Sequence, residues 1–284
     1  RRPEQIAQKV REHKPSVVIS FFMAYQNLVN ACIDAESFSS VGYWINTGDA
    51  AHQPYIKRIT TWGHHCVDGE MVAGSVFLDG LGSSEMGSTF FRMAHTQSSQ
   101  HPLRCVGPVR NGFTAAILSE DGALLADYEV GRLGVQGCSV TTGYHGDASK
   151  TADAQLNGYW LTGDLAYRDS EGRYIHVDRI PDAIETVFGC VYSLLTEEII
   201  FSVLPDLIEC SVFPRLRDGV IVAQAVVVFS HNRESEHLLQ TINAALQSHQ
   251  QPPISAVKQV VHEKVLRGVT GKVLKRKLAA SLMD

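Results

Sequence analysis

Apolar residues along this chain recur at two periods, one helical and one strand-like, and the two alternate. "PEQIAQKVREHKP" carries Ile6 and Val10 four apart, a helical stripe that Pro15 closes. "SVVIS" then predicts a buried strand, "MAYQNLVNACI" a helix, "VGYWIN" a strand, "PYIKRIT" a helix and "SVFLD" a third strand. Strands alternating with helices predict a parallel sheet with helices on its faces. Ligands of such sheets sit beyond the carboxyl ends of the strands. "NTGDAA" (46–51) and "GLGSSEMG" (80–87) fall at that position.

The texture changes between "CVGPVRNGF" and "GRYIHVDR", where runs such as "FTAAILSEDG" and "GRLGVQG" predict antiparallel hairpins. Past Arg179 it changes again. "TEEIIFSVL" predicts a helix with Thr196 as its N-cap. "LIECSVF" and "VIVAQAVVVFS" predict strands, "ESEHLLQTINAALQSHQ" an amphipathic helix, "ISAVKQVV" a strand, and a last helix starts near Lys272. The expected fold class is therefore α/β. A large domain over 1–179 combines the parallel sheet and its helices with a small β-rich subdomain, and a small α+β domain follows over 180–284.

Composition narrows the function classes. With 44% hydrophobic and 19% charged residues and a formal charge of −5, the chain reads as a globular protein. It is a poor candidate for nucleic-acid or anionic-membrane binding, which needs clustered cations. No apolar run approaches the ~20 residues that span a bilayer. Six cysteines lie far apart without a Cys-x-x-Cys, so reduced thiols and a cytoplasmic location are expected. The chain opens on Arg1 without Met, which suggests a fragment of something longer.

Taken singly, the candidate motifs leave two readings each. "GLGSSEMG" is either a turn using glycine at positive φ or a backbone approaching phosphate, with Glu85 holding a divalent metal. Asp164 in "GYWLTGDLAYRDSEGRYIHVDR" is either an Asx-turn or an acceptor for the two hydroxyls of a ribose. Arg179 could be a surface ion pair. In "VTGKVLKRKL", Gly268 and Gly271 are too close, and Val273 is wrong, for a strand-to-helix phosphate loop. Standing alone, Lys272, Lys275 and Arg276 read as the solvated face of a terminal helix. "WGHHCVDG" lacks the second ligand pair that a zinc site needs.

In order, these segments resemble the adenylate-forming superfamily of acyl-CoA synthetases, luciferases and peptide-synthetase adenylation domains. "SFSSVGYWINTGDAA" is similar to its segment ending in a small-residue turn, and "DGLGSSEMG" to its aromatic-Gly-x-Thr-Glu motif. "VGRLGVQGCSVTTGYHGDASKT" resembles the Gly-Glu-Leu…Gly-Tyr stretch, "YWLTGDLAYRDSEGRYIHVDRIPDAI" the Thr-Gly-Asp and Asp-Arg blocks, and "LRGVTGKVLKRKL" the terminal Gly-Lys block.

The resemblance implies a reaction and roles. ATP and Mg2+ would activate a small-molecule carboxylic acid, fatty or otherwise bulky, as acyl-AMP, and the acyl group would pass to a thiol of CoA or of carrier-protein phosphopantetheine. An enzyme that loads only an acyl carrier protein, and a non-catalytic remnant that binds nucleotide or a partner, are the alternatives. Glu85 would hold Mg2+ and Ser84, in the Thr position, the phosphate. Gly48, Asp49, Ala50, Leu81, Gly82 and Ser83 would line the nucleotide, Asp164 would take the ribose hydroxyls, and Arg179 would bind ribose or phosphate. Arg179, Ile180 and Pro181 would form the hinge of a mobile C-terminal domain carrying the catalytic Lys272.

Departures from the pattern accompany the resemblance. Leu81 replaces an adenine-stacking aromatic, Pro181 an Asp or Lys, and Glu185 a Lys, while Gly189 lies one residue late. Nothing matches the family's Ser/Thr/Gly-rich pyrophosphate loop. The chain is thus expected to be the C-terminal portion of a larger enzyme, inactive without its N-terminal partner segment.

Overall fold

The computed structural model describes residues 2–231, 237–262, 265–268, 273–275, 277 and 278. In chain order the first elements are α1 (Pro3–His13), β1 (Val17–Phe21), α2 (Phe22–Asn30), β2 (Tyr43–Thr47) and α3 (Gln53–Ile59). The hairpin β3 (His64–Val67) and β4 (Glu70–Ala73) follows, then β5 (Val76–Gly82) and β6 (Thr89–His95). Next come β7 (Cys105–Gly107), β8 (Phe113–Leu118), β9 (Gly131–Gly137), α4 (Ala148–Asp153), β10 (Gln155–Leu156), β11 (Tyr159–Arg168) and β12 (Tyr174–Arg179). The last are β13 (Ile184–Thr186), β14 (Gly189–Val191), α5 (Ser193–Val203), β15 (Leu207–Arg217), β16 (Val220–Phe229), α6 (Leu238–Ser248) and β17 (Ala256–Gln259).

The chain divides into two compact units. One holds residues 1–78, 94–99 and 183–284, the other 79–93 and 100–182. The expected boundary near 179 lies close to the change at 182/183, but the residues beyond it are grouped with 1–78.

In the first unit β1, β2 and β5 are joined in parallel, with Val17 opposite Tyr43 and Trp44 opposite Phe77. Helix α1 starts with Pro at its first turn, buries Ala7 and Val10, and ends on Lys14 at φ 46°. Trp44 is fully buried against Tyr25, Phe38 and Trp62, and its indole N–H donates to Ser75 Oγ at 2.8 Å. The strand β1 departs from expectation. Val17, Ile19 and Phe21 are 42%, 65% and 46% exposed, because β1 is the outermost strand of its sheet. A short apolar run cannot by itself distinguish burial on two faces from burial on one.

Residues 207–229 form a long hairpin whose two-residue turn, Asp218-Gly219, has both residues at positive φ, the geometry that Asp-Gly favours. β17 joins β16 in parallel after α6. Thr196 does not cap α5. The helix begins at Ser193 with Tyr192 at the cap, and Thr196 is buried in its first turn. The Tyr55 hydroxyl donates to Ile208 O at 2.7 Å, and burial above all pushes its phenol up to about 12, so it keeps its proton.

The second unit is antiparallel, in the order β7-β12-β11-β9-β8, with β10 against β11. Phe90, Phe91, Leu133, Val135, Trp160 and Tyr174 fill its core. The Tyr174 hydroxyl satisfies Ala115 O at 2.8 Å. Among the described residues no helix is long and apolar enough to cross a membrane.

Candidate functional site

Asp164 sits where β11 breaks its own ladder. Its register against β9 shifts between Leu161 and Leu165, and against β12 between Leu165 and Ala166. Gly163 supplies the bend at φ 82°, a conformation that L side chains rarely adopt. The Thr162 hydroxyl accepts from Asp164 N at 3.1 Å. These local choices turn Asp164 toward Arg179, its partner on β12. Arg179 Nε stands 3.5 Å from Asp164 Oδ1, and the guanidinium side chain is 50% exposed. Residues Ile180–Asp182 form one 3-10 turn.

A second cation-capable group meets the same oxygen. His176 Nε2 lies 3.3 Å from Asp164 Oδ1, off the line of a hydrogen bond. Burial pushes the Asp164 carboxyl up, but His176, Thr162 and Arg179 outweigh it and hold the group below the usual aspartate range. Behind His176, Arg104 Nη2 donates to Nδ1 at 3.1 Å, and Arg104 and His176 are both buried. A buried ionised carboxylate engaged through one oxygen, beside a half-exposed guanidinium, can accept from a vicinal diol through the other.

The end of β5 and the turn after it carry the second candidate. Gly80 and Gly82 are small for packing, not for dihedral freedom. A Cβ at Gly80 would meet Thr89 Cγ2 at 2.6 Å, and one at Gly82 would meet Ser88 O at 2.6 Å. Ser83 Oγ accepts from Met86 N at 3.3 Å, which shapes the turn, and Ser84 is exposed. Leu81 packs on the core of its unit.

Glu85 is half-buried and receives the Tyr144 hydroxyl on Oε1 at 3.1 Å. Its own backbone N–H, then Ser83, Tyr144 and Lys150, hold its carboxyl below the usual glutamate range against partial burial. Among the described residues no three His, Cys, Asp or Glu gather as a metal cage. A divalent ion here would rest on Glu85 and on ligand oxygens, which is how Mg2+ is ordinarily held.

Gly48, Asp49 and Ala50 belong to the other unit. Gly48 has φ 78°, and a Cβ there would meet the Phe21 ring at 2.6 Å. Asn46 Nδ2 donates to Asp49 O at 2.7 Å. Asp49 and Ala50 line a cavity of about 80 Å³ with His52, Glu197, Arg267 and Lys275, room for a few waters. Beside it Glu198 finishes α3 from a distant part of the chain, accepting from Gln53 N at 2.8 Å and pairing with His52 Nδ1 at 2.7 Å.

Lys272 and Arg276, and the start of the last helix, lie outside the described residues. Lys275 corrects the solvated-face reading. Its Nζ lies 2.6 Å from Glu197 Oε1 and donates to Ser193 Oγ at 2.9 Å, with the side chains 21% and 4% exposed. Sequence reasoning also missed Arg104, His176, Tyr144 and Glu198.

No family model matches the chain. It is 35% identical over 298 residues to the 3-aminoavenalumate diazotase of a Streptomyces species, covering 97% of this chain and 53% of that protein. It is 26% identical over 213 residues to the long-chain-fatty-acid–CoA ligase of Bacillus subtilis strain 168, covering 74% of this chain and 37% of the ligase. In fold it matches the crystal structure of the anthranilate CoA ligase AuaEII in complex with anthranoyl-AMP at a TM-score of 0.79. There the identity is 17%, with 98% of this chain and 52% of that one covered. The chain thus spans about half, or less, of the length of these relatives. Five motif blocks in family order match the adenylate-forming superfamily, and the relatives and the fold shared over almost the whole chain agree with that match.

Proposed function

We propose that the protein carrying this chain activates a carboxylic acid with ATP and passes the acyl group to a thiol. The observation that carries this reading is Asp164, a buried carboxylate kept ionised beside Arg179 at the Thr-Gly-Asp bend. Asp164 would accept from the ribose hydroxyls, and Arg179 would bind ribose or phosphate. Gly48, Asp49, Ala50, Leu81, Gly82 and Ser83 would border the nucleotide. Ser84 would donate to phosphate. Glu85 would hold Mg2+, whose contribution is neutralising phosphate charge.

The acid's carboxylate oxygen attacks the α-phosphorus in line, the bond to the bridging oxygen breaks, and pyrophosphate leaves. Lys272 would offset the repulsion of the two anions, so that the chain's part is positioning and charge neutralisation. The thiol sulfur, of CoA or of a carrier protein's phosphopantetheine, then attacks the acyl carbonyl and AMP departs. Residues 180–284 would move as a domain about Arg179, Ile180 and Pro181 between the two steps.

A second reading rests on the 35% likeness to a diazotase. The oxyanion joined to AMP would be nitrite, and the acceptor an arylamine. The amine nitrogen attacks the activated nitroso nitrogen, AMP leaves, and loss of water gives the diazonium. The test is pyrophosphate exchange into ATP with the full-length protein, offered carboxylic acids or nitrite. Acid-dependent exchange plus a thioester mass supports the first reading. Nitrite-dependent exchange, with an azo dye formed from an added arylamine and a coupling phenol, supports the second. Exchange with neither sinks both.

A further inference from the structure

We infer that Tyr144, backed by Lys150, is a positioning residue that aims the Glu85 carboxylate at a metal–phosphate ligand. The inference rests on the metal role proposed for Glu85 and adds residues to it. A glutamate on an exposed turn has three free torsions, and an ion held by a single protein carboxylate feels every one of them. In this chain the segment 139–151 removes that freedom at two levels. The main chain is held by Thr141 N, which donates to Glu85 O at 2.8 Å, and by Ser139 Oγ, which donates to Met86 O at 2.6 Å. The side chain is held by the Tyr144 hydroxyl at Oε1, 3.1 Å away. Tyr144 thereby fixes one oxygen of a carboxylate that its own backbone N–H and Ser83 also hold in place.

Tyr144 is itself immobilised. Its backbone N–H donates to Thr151 Oγ1 at 2.9 Å, and that hydroxyl donates to Asp147 O at 2.8 Å. Asp147 caps α4 by accepting from Lys150 N at 2.9 Å. The Tyr144 ring packs on Trp160 with centroids 5.5 Å apart. Lys150 Nζ then stands 4.1 Å over the Tyr144 ring. A cation on the ring face draws density from the π system, which makes the phenol a stronger donor toward a carboxylate. The helix α4 brings the ammonium to the ring and places its charge near Glu85 without a direct ion pair between the two. "GYHGDASKT" thus reads as a clamp on "SSEMG".

The test is a titration of the full-length protein with Mn2+ in the presence of a non-hydrolysable ATP analogue, followed by electron paramagnetic resonance. Metal-free AMP binding is measured in parallel by calorimetry. Tyr144→Phe keeps the ring, its packing and the Lys150 contact, and removes only the hydroxyl. The expected result is about tenfold weaker Mn2+ uptake, from the loss of one hydrogen bond to a charged group, with AMP affinity unchanged. Lys150→Met leaves the phenol in place and is expected to weaken Mn2+ uptake about threefold. Equal losses for Mn2+ and for metal-free AMP would mean a merely structural tyrosine, and no loss in Tyr144→Phe would end the inference. Glu85→Gln separates the two levels. If it leaves Mn2+ uptake unmoved, the metal role of Glu85 falls and this inference with it. If it abolishes uptake while Tyr144→Phe does not disturb it, the inference alone falls.

Discussion

Arg104 donates to Nδ1 of His176 across 3.1 Å, and because a guanidinium has no acceptor, this contact decides which ring nitrogen carries the proton. A neutral His176 therefore presents Nε2–H toward Asp164. The pair is buried, so the bias is not averaged away by solvent. Replacing Arg104 by Met frees the ring to adopt either tautomer. The expected outcome is a weaker affinity for AMP together with a change in the histidine's ring-nitrogen chemical shifts. An unchanged nitrogen spectrum would refute the coupling.

Asp164→Asn should weaken AMP binding by about 10- to 100-fold, the cost of losing hydrogen bonds to a charged acceptor. The pH dependence has a definite sign. The folded carboxyl lies below the usual aspartate range. Its contribution to stability is therefore present above the unfolded value of roughly 4 and lost as pH falls through the lower folded value. Urea unfolding of the native protein and of Asp164→Asn should differ by a constant amount at neutral pH, and the difference should shrink only in strong acid.

Lys272→Ala should slow acyl-adenylate formation by about 10²- to 10³-fold and slow thiol transfer from preformed acyl-AMP far less. Single-turnover measurement of each half-reaction decides it. Equal losses in both would remove the lysine from the first step.

Lys275→Met strands Glu197, a buried carboxylate that also accepts from Val212 N at 2.7 Å. Breaking one side of such a pair costs about 3 kcal/mol or more, and Glu197→Gln in the same molecule should restore part of that stability. A chemical denaturation series of the two single variants and the double variant measures the coupling. Strict additivity would mean that the pair does not act as a unit.

Gly48→Ala asks for an L side chain at φ 78° with the Phe21 ring 2.6 Å from the new carbon. Strain and overlap together should cost on the order of 1–3 kcal/mol. Pairing it with Phe21→Ala should relieve the overlap and leave the dihedral penalty.

The legible and illegible parts of this chain separate along physical lines. The strand at "SVFLD" and the bend at Thr162–Asp164 could be read because their signals are local, an apolar run in one and a Gly beside an Asp in the other, although β5 runs on to Gly82, three residues into the stretch expected as a turn. The resemblance gives Asp164 and Arg179 separate roles at one nucleotide, and their pairing across β11 and β12 shows only in the register. Arg104 was invisible because its partner lies 72 residues away and nothing in "HPLRCV" marks a buried cation. Lys275 looked solvated because the acid that neutralises it sits on another helix. The exposed face of β1 was misjudged because strand order in a sheet is not written in the strand itself.

Glu198 completes the first turn of α3 from 145 residues downstream of Gln53. A nascent chain leaving the ribosome exposes the α3 segment long before that carboxylate has been translated. Its end must stay frayed, or be screened by water, until α5 emerges and closes over it. Synthesis pauses between the two segments should therefore lengthen the time for which the α3 end stays uncapped.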